Sequence, residues 1–227
     1  MARSTNGAAV KRSRREPATS RQARKVHTVV RDTELVAQRH GEIVRAATRI
    51  FISKGYHGAG VREIAEAAGL SLGGLYTYVK TKEDILYLVF RRISTTLQEC
   101  VRRDVAGIDD PADRVAAALR ATIRTAGQYQ DEILLMYQET KSLGRKSLHN
   151  VLAEESHYVG LFEDVLQAGY DQGLFIGNPK LGADIVAYLC TIVVLRRWHL
   201  GRRFSSEEIE NGVIDFILGG LDGRAKR

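Results

Sequence analysis

Between Ile43 and Val79 apolar residues recur every three or four positions, and glycine cuts the run twice, at Gly55 and Gly69. That period belongs to helices that bury one face. The first segment carries Ile43, Ala46, Ala47, Ile50 and Phe51, then closes on Lys54-Gly55, a cation in the last turn before a glycine C-cap. A shorter stripe of Val61, Ile64, Ala65 and Ala68 stops at Gly69. The turn Gly69-Leu70-Ser71 leads into a third, compact helix expected over Leu72–Val79. Two short helices about a tight glycine turn form a helix-turn-helix, whose second helix can enter the DNA major groove. Gly73 and Gly74 leave the first turn of that helix without side-chain bulk, so its backbone can approach DNA closely. Tyr76, Thr77, Tyr78 and Lys82 set donors for phosphate oxygens within a few residues of one another.

The rest of the chain continues the helical pattern. Asp32–His40 can extend the first helix backwards, with Gly41 weighing against it. Thr81 and Asp84 form a capping-box pair ahead of the stripe Ile85, Val89, Ile93 and Leu97. Asp110-Pro111 opens a helix through Val115, Leu119 and Ile123. Another passes through Ile133–Tyr137, and a longer one runs from Lys146 to Gln172. Asn178-Pro179 starts a stretch, Leu181–Leu195, that is apolar nearly all round and so expected to be buried on more than one side. Ser205 and Glu208 announce a last helix with Ile209, Val213, Phe216 and Ile217. Only three prolines interrupt 227 residues, and alternating β-branched runs are scarce, so the expected fold is all-α.

Charge divides the chain. Residues 1–31 hold nine of the 34 Lys and Arg but one of the 27 Asp and Glu, which leaves the other 196 residues at −1. This leader has no sustained apolar face and reads as a disordered basic arm suited to DNA phosphates or anionic lipid. It lacks Trp, Phe and Leu, so an amphipathic membrane anchor is disfavoured. It also lacks the apolar core of a secretory signal. Ala183–Leu195 is too short to span a bilayer. Cys100 and Cys190 sit in apolar helical patterns without metal-ligand spacing and read as buried free thiols of a cytoplasmic protein. His149 and His157 are eight apart, and HExxH, GxSxG and a Walker lysine are all missing. The chain is not expected to be an enzyme, and no cofactor or metal is called for.

The run Ile43…Ala46-Ala47…Phe51…Gly55-Tyr56…Val61-Arg62-Glu63-Ile64-Ala65…Ala68-Gly69-Leu70-Ser71…Gly73…Leu75-Tyr76-Thr77-Tyr78-Val79…Lys82-Glu83…Leu86 resembles the DNA-binding domain of TetR-family regulators. The resemblance implies a homodimer whose third helix reads the major groove and whose C-terminal domain binds a small-molecule effector. It implies phosphate contacts from Tyr76, Tyr78 and Lys82, with the helix start at Val61 facing a phosphate. Base-edge contacts would come from Ser71, Leu72, Gly73 and Thr77, with Arg62 a candidate reader from the second helix. Three positions depart from the pattern. Ala59 and Gly60 replace the usual capping residues, Gly74 replaces a frequent Thr or Ser, and Val79 replaces an aromatic. With no Arg, Lys, Asn or Gln from Ser71 to Val79, bidentate reading of guanine or adenine is not open to this helix.

These readings divide the chain into a basic arm at 1–31, a helix-turn-helix domain at 32–85 and a ligand-binding, dimerising domain at 86–227. Candidate effector contacts are apolar Leu135, Met136, Phe162 and Leu166, with Gln138, Glu139 and Tyr158 as polar groups. The Leu181–Leu195 and Ile209–Ile217 segments together are the expected dimer face. The resulting expectation is a repressor bound to a palindromic double-stranded DNA operator and released by an acyl-CoA or another apolar molecule. A constitutive architectural DNA-binding protein and a membrane-surface or partner-binding helical protein are the alternatives.

Overall fold

The computed structural model describes residue 26 and residues 28–222, and every regular element among them is helical. The first helix, α1 (Thr33–Gly58), does extend back through residues 33–40, because the Asp32 carboxylate accepts from the Glu34 and Leu35 amides. Its regular part stops at Gly55, whose φ of 72° breaks the helix before one further turn. Then come α2 (Val61–Ala67) and α3 (Leu72–Tyr76), joined across Gly69 at φ 69°. Helix α3 is shorter than the sequence suggested. After Tyr76 the chain turns, and Val79 drops fully buried into the core.

Helix α4 (Lys82–Asp104) opens on the anticipated capping box, with Asp84 accepting from the Lys80 and Thr81 amides and Thr81 Oγ1 accepting from Asp84 N. It is the spine of the molecule. Ile85–Phe90 pack into the helix-turn-helix core, Ile93 and Leu97 into a middle cluster, and Val101 into the C-terminal core. Around it stand α5 (Pro111–Gln128), α6 (Gln130–Glu139), a 3-10 turn at Thr140–Ser142 and α7 (Arg145–Asp171). They are followed by α8 (Pro179–Cys190), α9 (Ile192–Leu195), α10 (Arg197–Leu200) and α11 (Ser206–Leu221). Glu210 of α11 clamps α5 by accepting from Arg120 at 3.0 Å and Arg124 at 2.8 Å. Burial pushes its carboxyl pKa up, but those two guanidinium hydrogen bonds outweigh it and hold it below the usual range.

Three expectations are revised. The apolar stretch 181–195 is two helices, parted where Thr191 turns its hydroxyl onto the Tyr188 carbonyl at 2.7 Å. Within the chain α8 buries one side only: Ala183, Val186, Ala187 and Cys190 are inside, while Leu181, Ile185 and Tyr188 are exposed. Of the two free thiols, Cys190 is fully buried, its pKa pushed up to about 12 by desolvation, but Cys100 is only half-buried. Most of the basic leader, residues 1–25, lies outside the described residues. Its last residues are docked: Val26 is buried, and Thr28 Oγ1 and Val29 N both donate to the Thr77 carbonyl at 3.0 Å.

Candidate DNA-reading surface and effector cavity

Helices α2 and α3 are held by Ile64, Ala65, Leu75 and Val79, all without exposed surface, and the turn is tied by Leu70 N donating to Ala65 O at 2.9 Å. Ser71 caps α3, its Oγ accepting from Gly74 N at 3.0 Å. The Ser71 hydroxyl proton is therefore still available to an outside acceptor. Thr77 differs, because its hydroxyl proton goes to Gly74 O at 2.7 Å. Toward a base edge Thr77 can offer only lone pairs and its methyl group.

The candidate DNA contacts fall into two groups. Arg62, Ser71, Gly73 and Tyr76 are exposed, and Val61, Leu72 and Thr77 are partly so. Gly60 gives α2 no side-chain cap, which leaves the amides after it, from Val61 on, without that partner. Tyr78, by contrast, is only 8% exposed, so little of it is presented outward. Its carbonyl lies 3.1 Å from His40 Nε2, and burial lowers the His40 pKa. Lys82 is held in the domain, with Nζ donating to His57 O at 3.2 Å and lying 4.7 Å from the Tyr56 ring centre. Gly74 has a reason inside the protein, since a Cβ there would stand 3.1 Å from Ser71 Oγ.

Behind this domain, α4, α5, α6, α7 and α8 enclose a cavity of about 490 Å³, the size of a small-molecule site. Met136 and Tyr158, two of the expected effector contacts, line it. Leu135 packs into the helix-turn-helix core, and Phe162 and Leu166 into the C-terminal core; none of the three is on the wall. Gln138 is exposed and also off the wall. Glu139 faces the other domain: it accepts from Ser142 Oγ at 2.7 Å and sits 3.8 Å from His57 Nε2, beside a bond from Gly144 N to Glu83 Oε1 at 3.0 Å.

Among the wall residues that sequence reasoning missed, α4 supplies a whole face. Tyr87, Phe90, Arg91 and Ser94 all line the cavity, at the i, i+3, i+4, i+7 spacing of one helical face. That stripe of aromatic and polar residues was visible beside Ile85–Leu97, but its position on a linking helix hid its use. Thr122 on α5, Asp184 and Tyr188 on α8, and Glu154 and Glu155 of α7 add further polar groups to the wall. The Tyr158 hydroxyl is buried, and Thr122 is the side chain placed to share a hydrogen bond with it. Burial, reinforced by the neighbouring Cys190 thiol and only partly opposed by Thr122, raises its pKa well above 10, so it remains a neutral donor. Among the described residues no His, Cys, Asp and Glu group has metal-site geometry, and no helix is long and apolar enough to cross a membrane.

Two family models match the sequence: "Bacterial regulatory proteins, tetR family" over residues 43–88, and "Tetracyclin repressor-like, C-terminal domain" over residues 108–221. The HTH-type transcriptional regulator HbdR of Aromatoleum sp. strain CIB is 28% identical over 207 residues, 90% of each chain. The HTH-type transcriptional repressor KstR2 of Mycobacterium tuberculosis is 23% identical over 190 residues, 82% of this chain and 94% of its own. Among solved structures, AibR in complex with isovaleryl coenzyme A and operator DNA superposes with a TM-score of 0.67 at 24% identity, covering 81% of this chain and 99% of its own.

Proposed function

The chain belongs to the TetR family of bacterial transcriptional regulators, and from that premise we propose that it is a ligand-responsive repressor that binds a palindromic operator as a homodimer. The observation that carries this reading is the double duty of α4. Its first two turns are buried in the helix-turn-helix core, and the same helix supplies Tyr87, Phe90, Arg91, Ser94 and Leu97 to the cavity wall. A molecule filling the cavity presses on the helix in which the DNA-reading unit is rooted. A second link runs from α6, which lines the cavity through Ile133, Met136 and Tyr137, to the Glu139–Ser142–His57 contacts.

Two recognition helices must sit about one DNA turn apart to reach successive major grooves. The effector acts by favouring a dimer in which that spacing is wrong, and it must bind that state better than the DNA-bound one, because equal affinity shifts nothing. The proposed DNA contacts are Val61, Arg62, Ser71, Leu72, Gly73, Tyr76 and Thr77, with Lys82 reaching a phosphate only by leaving His57 O and Tyr78 only through its small exposed part. The dimer face is the exposed side of α8 with α11, and the setting is the cytoplasm. An apolar effector, an acyl-CoA among the candidates, is supported by the largely apolar wall and by the isovaleryl coenzyme A in the AibR complex.

Selection of bound sites from random DNA by the full-length protein tests the reading. A two-fold symmetric motif is expected, and featureless recovery overturns it. Acyl-CoAs and apolar carbonyl compounds are then screened for loss of binding to that motif. Failure of every one, against a tight and sequence-indifferent complex, would support the constitutive architectural alternative.

A further inference from the structure

The break at Gly55 sets off the last turn of α1, residues 56–58, from the helix before it. Tyr56 anchors this turn in the helix-turn-helix core, buried and edge-on to Phe51 at 5.4 Å. His57, next in sequence, is engaged on two sides. Its carbonyl accepts from Lys82 Nζ at 3.2 Å, and that ammonium also lies 4.7 Å from the Tyr56 ring centre. Its ring reaches the second domain, with Nε2 3.2 Å from Ser142 Oγ and 3.8 Å from Glu139 Oε2. Ser142 donates its hydroxyl proton to Glu139 at 2.7 Å, so in the bond to His57 the donor is Nε2–H. Burial lowers the Lys82 pKa and the Glu139 charge opposes that, which puts the carboxylate within electrical reach of the ammonium. A further tie, Gly144 N to Glu83 Oε1 at 3.0 Å, crosses the same junction. Lys82 thus sits where the start of α4, the end of α1 and the end of α6 meet. Its bonds there are charge-assisted yet close to solvent, so they compete with a DNA phosphate for the ammonium without excluding it.

We propose that His57 is a positioning residue for DNA binding: Glu139 and Ser142 fix its turn so that its carbonyl withholds Lys82 from the phosphate backbone, and loosening this junction releases the lysine to DNA. The inference rests on Lys82 being one of the DNA contacts proposed above, and it adds what governs the availability of that contact. Met136, Tyr137 and Thr140, beside Glu139 in sequence, line the cavity. One short segment therefore faces the cavity on one side and holds His57 on the other.

Two measurements on the full-length protein test this. The first needs no DNA: lysines are dimethylated with isotope-labelled formaldehyde, which keeps their charge and one N–H, and followed by NMR. The Lys82 methyl signal, identified by its loss in Lys82→Arg, is expected upfield of that of exposed Lys80, because it lies over the Tyr56 ring. Ser142→Ala and His57→Ala are expected to move it toward the Lys80 position, and Ser142→Thr, which keeps the hydroxyl, to leave it in place. A wild-type signal already at the Lys80 position, or one that Ser142→Ala does not move, overturns the proposal. The second measurement is a double-mutant cycle of Ser142→Ala and Lys82→Met, titrated by fluorescence anisotropy on a duplex carrying the symmetric motif recovered above. Ser142→Ala is expected to bind about threefold more tightly. Lys82→Met should bind at least about threefold more weakly, with a salt slope about 0.9 shallower, and the gain from Ser142→Ala should vanish in the double variant. No gain, or a gain that survives Lys82→Met, overturns the inference and leaves the DNA contacts standing. Unchanged affinity and slope in Lys82→Met would strike Lys82 from those contacts and overturn the inference with it.

Discussion

Gly73 shows how a single residue separates the needs of the fold from those of the partner. It is exposed in the first turn of α3, and a Cβ there would meet nothing within 4 Å. Glycine costs a helix about 0.8–1 kcal/mol relative to alanine, so the protein alone would be better served by a side chain. What the missing Cβ leaves open is the approach of a DNA backbone or base edge. Gly73→Ala is therefore expected to raise stability by about 0.5–1 kcal/mol in denaturant titration while weakening operator binding about tenfold in a fluorescence-anisotropy titration. Unchanged binding would remove Gly73 from the interface. Gly74 should behave differently, because there the added carbon crowds the Ser71 cap.

At the scale of elements, the basic leader ends inside the domain. Val26 and Val30 join the helix-turn-helix core, and Thr28 and Val29 fasten the chain to the carbonyl that ends α3. The described chain thus enters the domain beside α3, and residues 1–25, which precede it in sequence, hold eight Lys and Arg against Glu16 alone. Deleting residues 1–25 is expected to leave the melting temperature unchanged. It should also flatten the plot of log affinity against log salt, by about 0.9 for each DNA phosphate that the arm neutralises. An unaltered slope would show that the arm does not touch DNA. Deleting residues 1–31 should in addition lower the melting temperature, because it removes buried Val26 and the hydrogen bonds to Thr77. Charge alone would have put the boundary at 31 and confounded the two effects.

At the scale of the whole molecule, the exposed face of α8, with Leu181, Ile185 and Tyr188, and the 73% exposed Phe216 of α11 make the apolar face assigned above to the proposed homodimer. A two-fold axis lets each face bury its own copy, which is the usual way a homodimer closes. Phe216→Glu would put a charge into that proposed interface. It is expected to give a monomer in sedimentation at micromolar concentration and to lose operator binding, with the melting of the helix-turn-helix core little changed. A variant that remains a dimer would move the interface elsewhere.

What the sequence determined by itself is local. The helix starts at Thr81, Asp110, Asn178 and Ser205, the glycine stops at Gly55 and Gly69, and the two short helices of the DNA-reading unit were legible, because caps and turns are chemistry within about four residues. The tertiary structure decided which face of each helix looks onto a space and which onto a neighbour. Met136 and Tyr158 line the cavity while Leu135, Phe162 and Leu166 fill cores, although all five are apolar or aromatic residues on amphipathic helices. Tyr87 and Arg91 reach the cavity from α4, whose stripe had marked only its buried side, and Glu139 is turned to the domain junction. A helical stripe records that a side is buried; where five helices leave a void depends on how all of them pack, and no single stripe contains that.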